Sequence, residues 1–212
     1  MMKLWGRATS INVQKAMWAL EELGLDYERV DLGGPFGGLD DPAYRALNPN
    51  GLVPTLQDGE LTLWESQAIV RYLAARYGAG SLWDEDPARR ALSDCWMDWT
   101  MGAPLPDLTT IFWHTVRLPT AQRDPAAVTA AAKRLGEVLA VPEAHLASRP
   151  FVAGERLSIG DIALGSLFYR YFAFDIERPD LPRLSAYYER LTERPPYQAS
   201  IMTSFEPLRV KE

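Results

Sequence analysis

Glu65 and Ser66 stand side by side where a helix is expected to begin, in the run Trp64-Glu65-Ser66-Gln67. A helix N-terminus offers free N–H groups and the positive end of its dipole, a ready seat for a carboxylate. The Glu65 carboxylate could receive an ammonium group beside it. Together they match the end group of an α-amino acid, which carries both charges. The plainer alternative is that Ser66 or Glu65 caps the helix, as residues of this type commonly do. Thr9-Ser10-Ile11-Asn12 poses a similar choice at the junction of the first expected strand and helix. A hydroxyl there could cap the helix or donate a hydrogen bond to a ligand thiolate. A free thiol has a pKa of about 8.5 and is mostly protonated at neutral pH. Hydrogen bonds to its ionised form and a helix N-terminus would both lower that value.

The run NPNGLVPTL, residues 48 to 56, adds a third candidate. It reads as the start of an apolar strand, yet carries Pro54, which donates no ladder hydrogen bond. A cis Val53–Pro54 bond would leave the Val53 N–H and C=O free for an extended ligand. Only about 5% of X–Pro bonds are cis, so these residues alone favour a trans proline opening the strand.

Other stretches carry less. Gly33 to Gly38 lacks the Gly-Lys-Ser/Thr of a phosphate loop and is expected to be a flexible loop. His114 and His145 are too far apart in sequence for a local zinc pair, and no metal site is expected. Cys95 lies in a helical stretch beside Trp96 and Trp99 and is expected to be packed. Trp96, Trp99, Phe112 and Trp113, with Arg117, could line an apolar pocket, although apolar residues at helical spacing are more often core.

These residues must be positioned by a small set of elements. Lys3 to Trp5 can start a strand, and Asn12 to Leu23 reads as a helix with Val13, Ala16, Met17 and Leu20 on one face. Tyr27 to Leu32 alternates as a second strand, and Pro42 to Leu47 is a short helical stretch. Leu52 to Gln57 and Leu61 to Trp64 flank Asp58-Gly59, a hairpin signal. Ser66 to Tyr77 is an amphipathic helix that ends at Gly78. The order βαβαββα is that of a small α/β domain over residues 1–80. Residues 81–86 read as a linker. From 87 to 212 no strand pattern survives, and Ala88 to Trp99, Ala126 to Ala147, Ile159 to Phe172 and Leu184 to Arg194 read as helices. Within that all-α region Ser158 and Asp161 have capping-box spacing, with Leu157 and Ile162 as a hydrophobic staple.

Composition narrows the class. The 212 residues are 47% hydrophobic and 24% charged, with a net charge of −6. That acidic balance disfavours nucleic-acid binding, which needs a basic face. Cys95 is the single cysteine, so no internal disulfide or paired redox motif exists. No signal peptide is legible at the N-terminus, and no run approaches the ~18 apolar residues of a membrane span. The expectation is a cytoplasmic protein acting on small molecules.

Taken together, TSINVQKAMWALEELGLDYERVDL, NPNGLVPTL, LWESQAIVRYLAARY and FVAGERLSIGDIAL resemble the glutathione transferase family across nearly the whole chain. The likeness is nearest to bacterial serine- or asparagine-type branches, theta- or nu-like. It implies a thioredoxin-like N-terminal domain, a helical C-terminal bundle and glutathione as co-substrate. Val53, before the family's cis-proline at Pro54, would pair through its backbone with the cysteinyl unit. Glu65 and Ser66 would hold the γ-glutamyl end. Ser10 matches the thiol-activating hydroxyl, Asn12 falls where relatives use an amide, and Ser158 and Asp161 match the folding cap. Many relatives carry Lys or Arg where Leu52 stands, so either the glycyl carboxylate would fall to Gln14 or a partner subunit, or affinity would be modest. The resemblance further implies a homodimer and a role in detoxification. The expected reaction is thiolate attack on an apolar electrophile held near Trp96, Trp99, Trp113 and Arg117. Disulfide or peroxide reduction, or a non-catalytic binding role, are the alternatives.

Overall fold

The computed structural model describes residues 1–210. Four strands, β1 (Met2–Trp5), β2 (Tyr27–Val30), β3 (Thr55–Asp58) and β4 (Leu61–Trp64), form one mixed sheet in the order β2-β1-β3-β4. β1 runs parallel to β2 and antiparallel to β3, with Leu4 opposite both Arg29 and Leu56. Thioredoxin-like connectivity follows: α1 (Ile11–Glu22) makes the crossover between the parallel pair, α2 (Pro42–Leu47) precedes β3, and α3 (Ser66–Tyr77) follows β4. Asp41 caps α2 through its side chain, with Pro42 at the first helical position, where a missing N–H costs nothing. β3 begins only at Thr55, three residues later than the pattern suggests, because the peptide bond before Pro54 is cis and Leu52 and Val53 stay off the ladder.

The remaining helices are α4 (Pro87–Gly102), α5 (Pro104–Phe112), α6 (Pro125–His145), α7 (Ile159–Gly165), α8 (Phe168–Ala173), α9 (Pro182–Thr192) and α10 (Pro195–Ser200). Two of them, α5 and α10, lie outside the expected set. Each opens on prolines, which the first turn of a helix tolerates and an interior does not. α5 passes into a π-helical turn at Trp113–Arg117. The expected helix over 159–172 is divided at Ser166 and Leu167, where the Ser166 hydroxyl bonds back to the Ala163 carbonyl at 2.7 Å. Cys95 is a correction: it is exposed on α4, its neighbours Trp96 and Trp99 turning inward instead.

α1 is the axis of the molecule. Every residue from Val13 to Leu20 is buried, not one face alone, because the sheet and α3 cover one side while α7 and α10 cover the other. Trp18 meets Tyr197 of α10 edge-on at 4.8 Å and donates to Glu22 at 2.8 Å. Arg194 holds that same carboxylate in a bidentate pair at 2.8 and 2.6 Å. Gly165 of α7 admits the Trp18 ring: a Cβ there would stand 2.7 Å from Leu191 and 3.0 Å from Trp18.

The start of α7 is held by Asp161, which is fully buried. Its carboxylate accepts from the Ser158 N–H (2.8 Å) and hydroxyl (2.7 Å), the Val152 N–H (2.9 Å) and the Tyr187 hydroxyl (2.8 Å). Burial raises its pKa, and those four donors offset only part of the rise. The expected capping box therefore exists, with Asp161 also tying α9 and the 150–154 turn to the helix start.

Candidate active site

Residues from the loop before β3 and from the starts of α1 and α3 converge on one small cavity of about 90 Å³. Asn12 comes from α1, Ser66 from the start of α3 and Glu65 from the residue before it, and Leu52, Val53 and Pro54 from the loop, with Asn48 and Asn50 closing the side. Two groups of the α2 region hold the loop in place. The Tyr44 hydroxyl donates to the Leu52 carbonyl at 2.5 Å, and the Asn48 amide donates to the same oxygen at 2.8 Å. Both also reach the Thr55 hydroxyl at the start of β3, at 2.9 and 3.1 Å. The Leu52 carbonyl is so engaged and Pro54 lacks an N–H, while the Val53 backbone makes no hydrogen bond among the described residues and can serve an outside partner.

The capping alternatives fail on geometry. Glu65 occupies the position before α3 at φ 73°, the only positive φ at a non-glycine among the described residues, and its side chain caps nothing. That conformation costs on the order of 1 kcal/mol or more for a residue with a Cβ, a type of strain that concentrates at functional sites. Ser66 opens α3 almost fully buried, and its hydroxyl points across to the Asn12 amide oxygen at 3.4 Å. Ser10 sits at the N-cap position of α1 but makes no side-chain cap bond. Its backbone N–H instead closes a turn onto the Arg7 carbonyl at 3.1 Å. Ser10 does not line the cavity; Asn12 does.

Below the cavity lies Lys15, whose side chain is wholly buried. Its ammonium donates to the Asn12 amide oxygen at 3.2 Å and stands 3.4 Å from the Met101 sulfur of α4. Burial lowers its pKa to about 8, while Glu65 pulls the other way. On the far side of Ser10 the chain is again positive. Arg170 donates to the Thr9 carbonyl at 2.7 Å and stacks over Phe112 at 4.5 Å. Burial, then repulsion from Arg7, lowers Arg170 to about 10. Arg7 itself is lowered by burial and by Arg117, and its Nε has no hydrogen-bond partner.

Of the residues expected in an apolar pocket, Arg117 lies over Trp113 at 5.6 Å, and Trp113 is exposed. Trp96 and Trp99 pair at 5.2 Å, and Trp96 also meets His145 at 4.9 Å. Gln14 is 2% exposed within α1 and does not reach the cavity. His114 accepts from the Asp124 N–H at 3.0 Å and His145 bonds the Val152 carbonyl at 2.7 Å, each a local contact. Among the described residues no cluster could hold a metal ion.

Lys15, Tyr44, Asn48 and the Arg7–Arg170 pair went unassigned in the sequence. For Asn48 a signal existed, since it belongs to the NPNG turn; for Lys15 none did, because nothing local marks a lysine on a helix as covered.

The family models for the glutathione S-transferase N-terminal and C-terminal domains match residues 1–75 and 105–195. Glutathione S-transferase GstB of Escherichia coli K12 is 43% identical over 95% of this chain and 98% of its own length. Glutathione S-transferase 4 of Zea mays is 33% identical, covering 98% of this chain and 94% of its own. Among solved structures, the theta-class glutathione S-transferase of Xanthomonas axonopodis pv. citri with glutathione bound superposes with a TM-score of 0.92. It is 53% identical and covers 96% of this chain and 98% of that one. With both domain models, full-length relatives and the site's own arrangement in agreement, the chain belongs to the glutathione S-transferase family.

Proposed function

We propose that the cavity between α1, α3 and the Val53–Pro54 loop binds glutathione and activates its thiol for transfer to an electrophile. The observation that carries this reading is the convergence of Asn12, Val53, Glu65 and Ser66, far apart in sequence, on one concave site. Glu65 takes the γ-glutamyl ammonium, and Ser66 with the α3 N-terminus takes the carboxylate beside it. The Val53 backbone pairs with the cysteinyl unit as an added strand would. Its sulfur then faces the start of α1, where Asn12 donates to it and Ser10 stands at the edge. The thiol releases its proton to solvent, the thiolate attacks an electrophilic carbon, and the leaving group departs with the bonding pair. Arg7 and Arg117, which join no ion pair among the described residues, draw an anionic tripeptide toward the mouth and favour the ionised sulfur.

The division of labour places glutathione in residues 1–80 and the second substrate against the helical residues from 87 onward, near Trp113 and Arg117, with 81–86 between. A cytoplasmic homodimer serving detoxification fits the reading. Calorimetry with glutathione, followed by conjugation to 1-chloro-2,4-dinitrobenzene, tests it. Saturable binding and a thioether product are expected. Absence of glutathione uptake by the full-length protein overturns the reading.

A further inference from the structure

The chemistry at Asn12 depends on which end of its amide faces the cavity, and two buried side chains, Lys15 and Ser66, bear on this. Lys15 is completely enclosed, and among the described residues its ammonium makes two hydrogen-bond contacts, to the Asn12 amide oxygen and the Met101 sulfur, with Glu65 near enough to act on it by charge. An ammonium carries three protons and no acceptor. The atom of Asn12 that meets it must therefore be the oxygen. Ser66 donates to the same oxygen at 3.4 Å. With both donors on Oδ1, the NH2 group of Asn12, which lines the cavity with Val53 and Glu65, is the end of the amide left to donate to a ligand. Thioether sulfur is a weak acceptor, and no carboxylate pairs with Lys15 among the described residues. A buried charge without a counter-charge weakens the fold. An apolar side chain of the same length would serve packing better, so packing alone does not explain a lysine here.

We propose that Lys15 is a positioning residue for the transfer reaction: it locks the Asn12 amide with its NH2 group aimed at the bound sulfur and places a fixed positive charge beneath it. This rests on the reading of the cavity as a glutathione site. It also ranks the two candidate donors, because Ser10 has no such anchor and lies outside the cavity lining. The lowered pKa of Lys15, set by burial and opposed by Glu65, agrees with a charge that has no full partner until an anion arrives.

The test uses Lys15→Met, which keeps the stem and removes charge and donor, and Lys15→Gln, which keeps a donor without charge. Each is measured as the full-length protein for glutathione binding by calorimetry, for kcat and KM in conjugation, and for the apparent pKa of the bound thiol by thiolate absorbance. Lys15→Met is expected to raise that pKa and lower kcat by ten-fold or more, with Lys15→Gln recovering part of the loss. Because Lys15 acts through Asn12, adding Asn12→Ala to either variant should cost little beyond Asn12→Ala alone. If Lys15→Met does not fold, the cycle with Lys15→Gln and Asn12→Ala carries the same test. An unchanged thiol pKa in a folded Lys15 variant overturns the proposal, as do fully additive losses in the cycle. Failure of the wild-type protein to bind glutathione would instead overturn the assignment of the site.

Discussion

Lys15 should leave a pH signature in stability that is separate from its part in the reaction. Enclosure lowers its pKa from 10.5 to about 8, with desolvation the larger cause and Glu65 opposing it. A drop of that size corresponds to about 3 kcal/mol, at about 1.36 kcal/mol per pH unit. The sign follows from proton counting. Between pH 8 and 10.5 the unfolded chain holds the proton on Lys15 and the folded chain has released it. Stability therefore rises with pH across that window, and the full penalty of the buried charge is present below it. Lys15→Met removes the penalty together with one hydrogen bond to Asn12, worth about 1 kcal/mol. At pH 7 the variant should match or exceed the wild type, by up to about 2 kcal/mol on these magnitudes. As pH climbs toward 10.5 the difference should shrink and then reverse. Reversible urea unfolding of both proteins at pH 7, 8, 9 and 10 measures it. Titration of groups the two proteins share cancels in the difference. A gap that stays constant over that range means Lys15 keeps an ordinary pKa, and the inference of an uncompensated buried charge falls.

Asp161→Ala should destabilise by more than about 3 kcal/mol, because it strips four buried donors of their shared acceptor; urea unfolding reads this, and a loss under 1 kcal/mol would contradict it. Gly165→Ala should cost about 1–3 kcal/mol by forcing a methyl group against Leu191 and the Trp18 ring, measured as a fall in thermal midpoint. Tyr44→Phe should raise the KM for glutathione several-fold with kcat nearly intact, since it removes one of two bonds to the Leu52 carbonyl, worth about 1 kcal/mol; a change in kcat alone would refute that role. Asn12→Ala should lower kcat/KM by about 10- to 100-fold, the range for a hydrogen bond to a charged group, and by more than Ser10→Ala; the reverse order would reassign the donor.

Much of the site was legible because its parts are local. Pro54 after an apolar valine, an acid and a serine opening α3, and a hydroxyl before α1 are each written in neighbouring residues. What adjacency could not reveal was function at a cap position. Ser10 and Glu65 both occupy N-cap positions, yet neither side chain caps. Trp96 and Trp113 look equivalent in the chain, but Trp96 on α4 packs against His145 while Trp113 lies beneath Arg117 in the turn after α5. Hydrophobic spacing also ran one helix through Ser166, because it registers which residues are apolar and not where a hydroxyl interrupts the backbone ladder.

The amino-acid sequence by itself determined the order of elements through Tyr77, the hairpin at Asp58-Gly59 and the Asp161 cap, since each depends on residues a few positions apart. Tertiary structure alone decided that Lys15 is enclosed, that Ser66 faces Asn12, and that the Leu52 carbonyl is taken by α2. The reason is that a residue's propensity comes from its neighbours in the chain, whereas its burial comes from whatever distant segment packs over it. For Lys15 that segment is α4, which brings the Met101 sulfur to 3.4 Å from its ammonium.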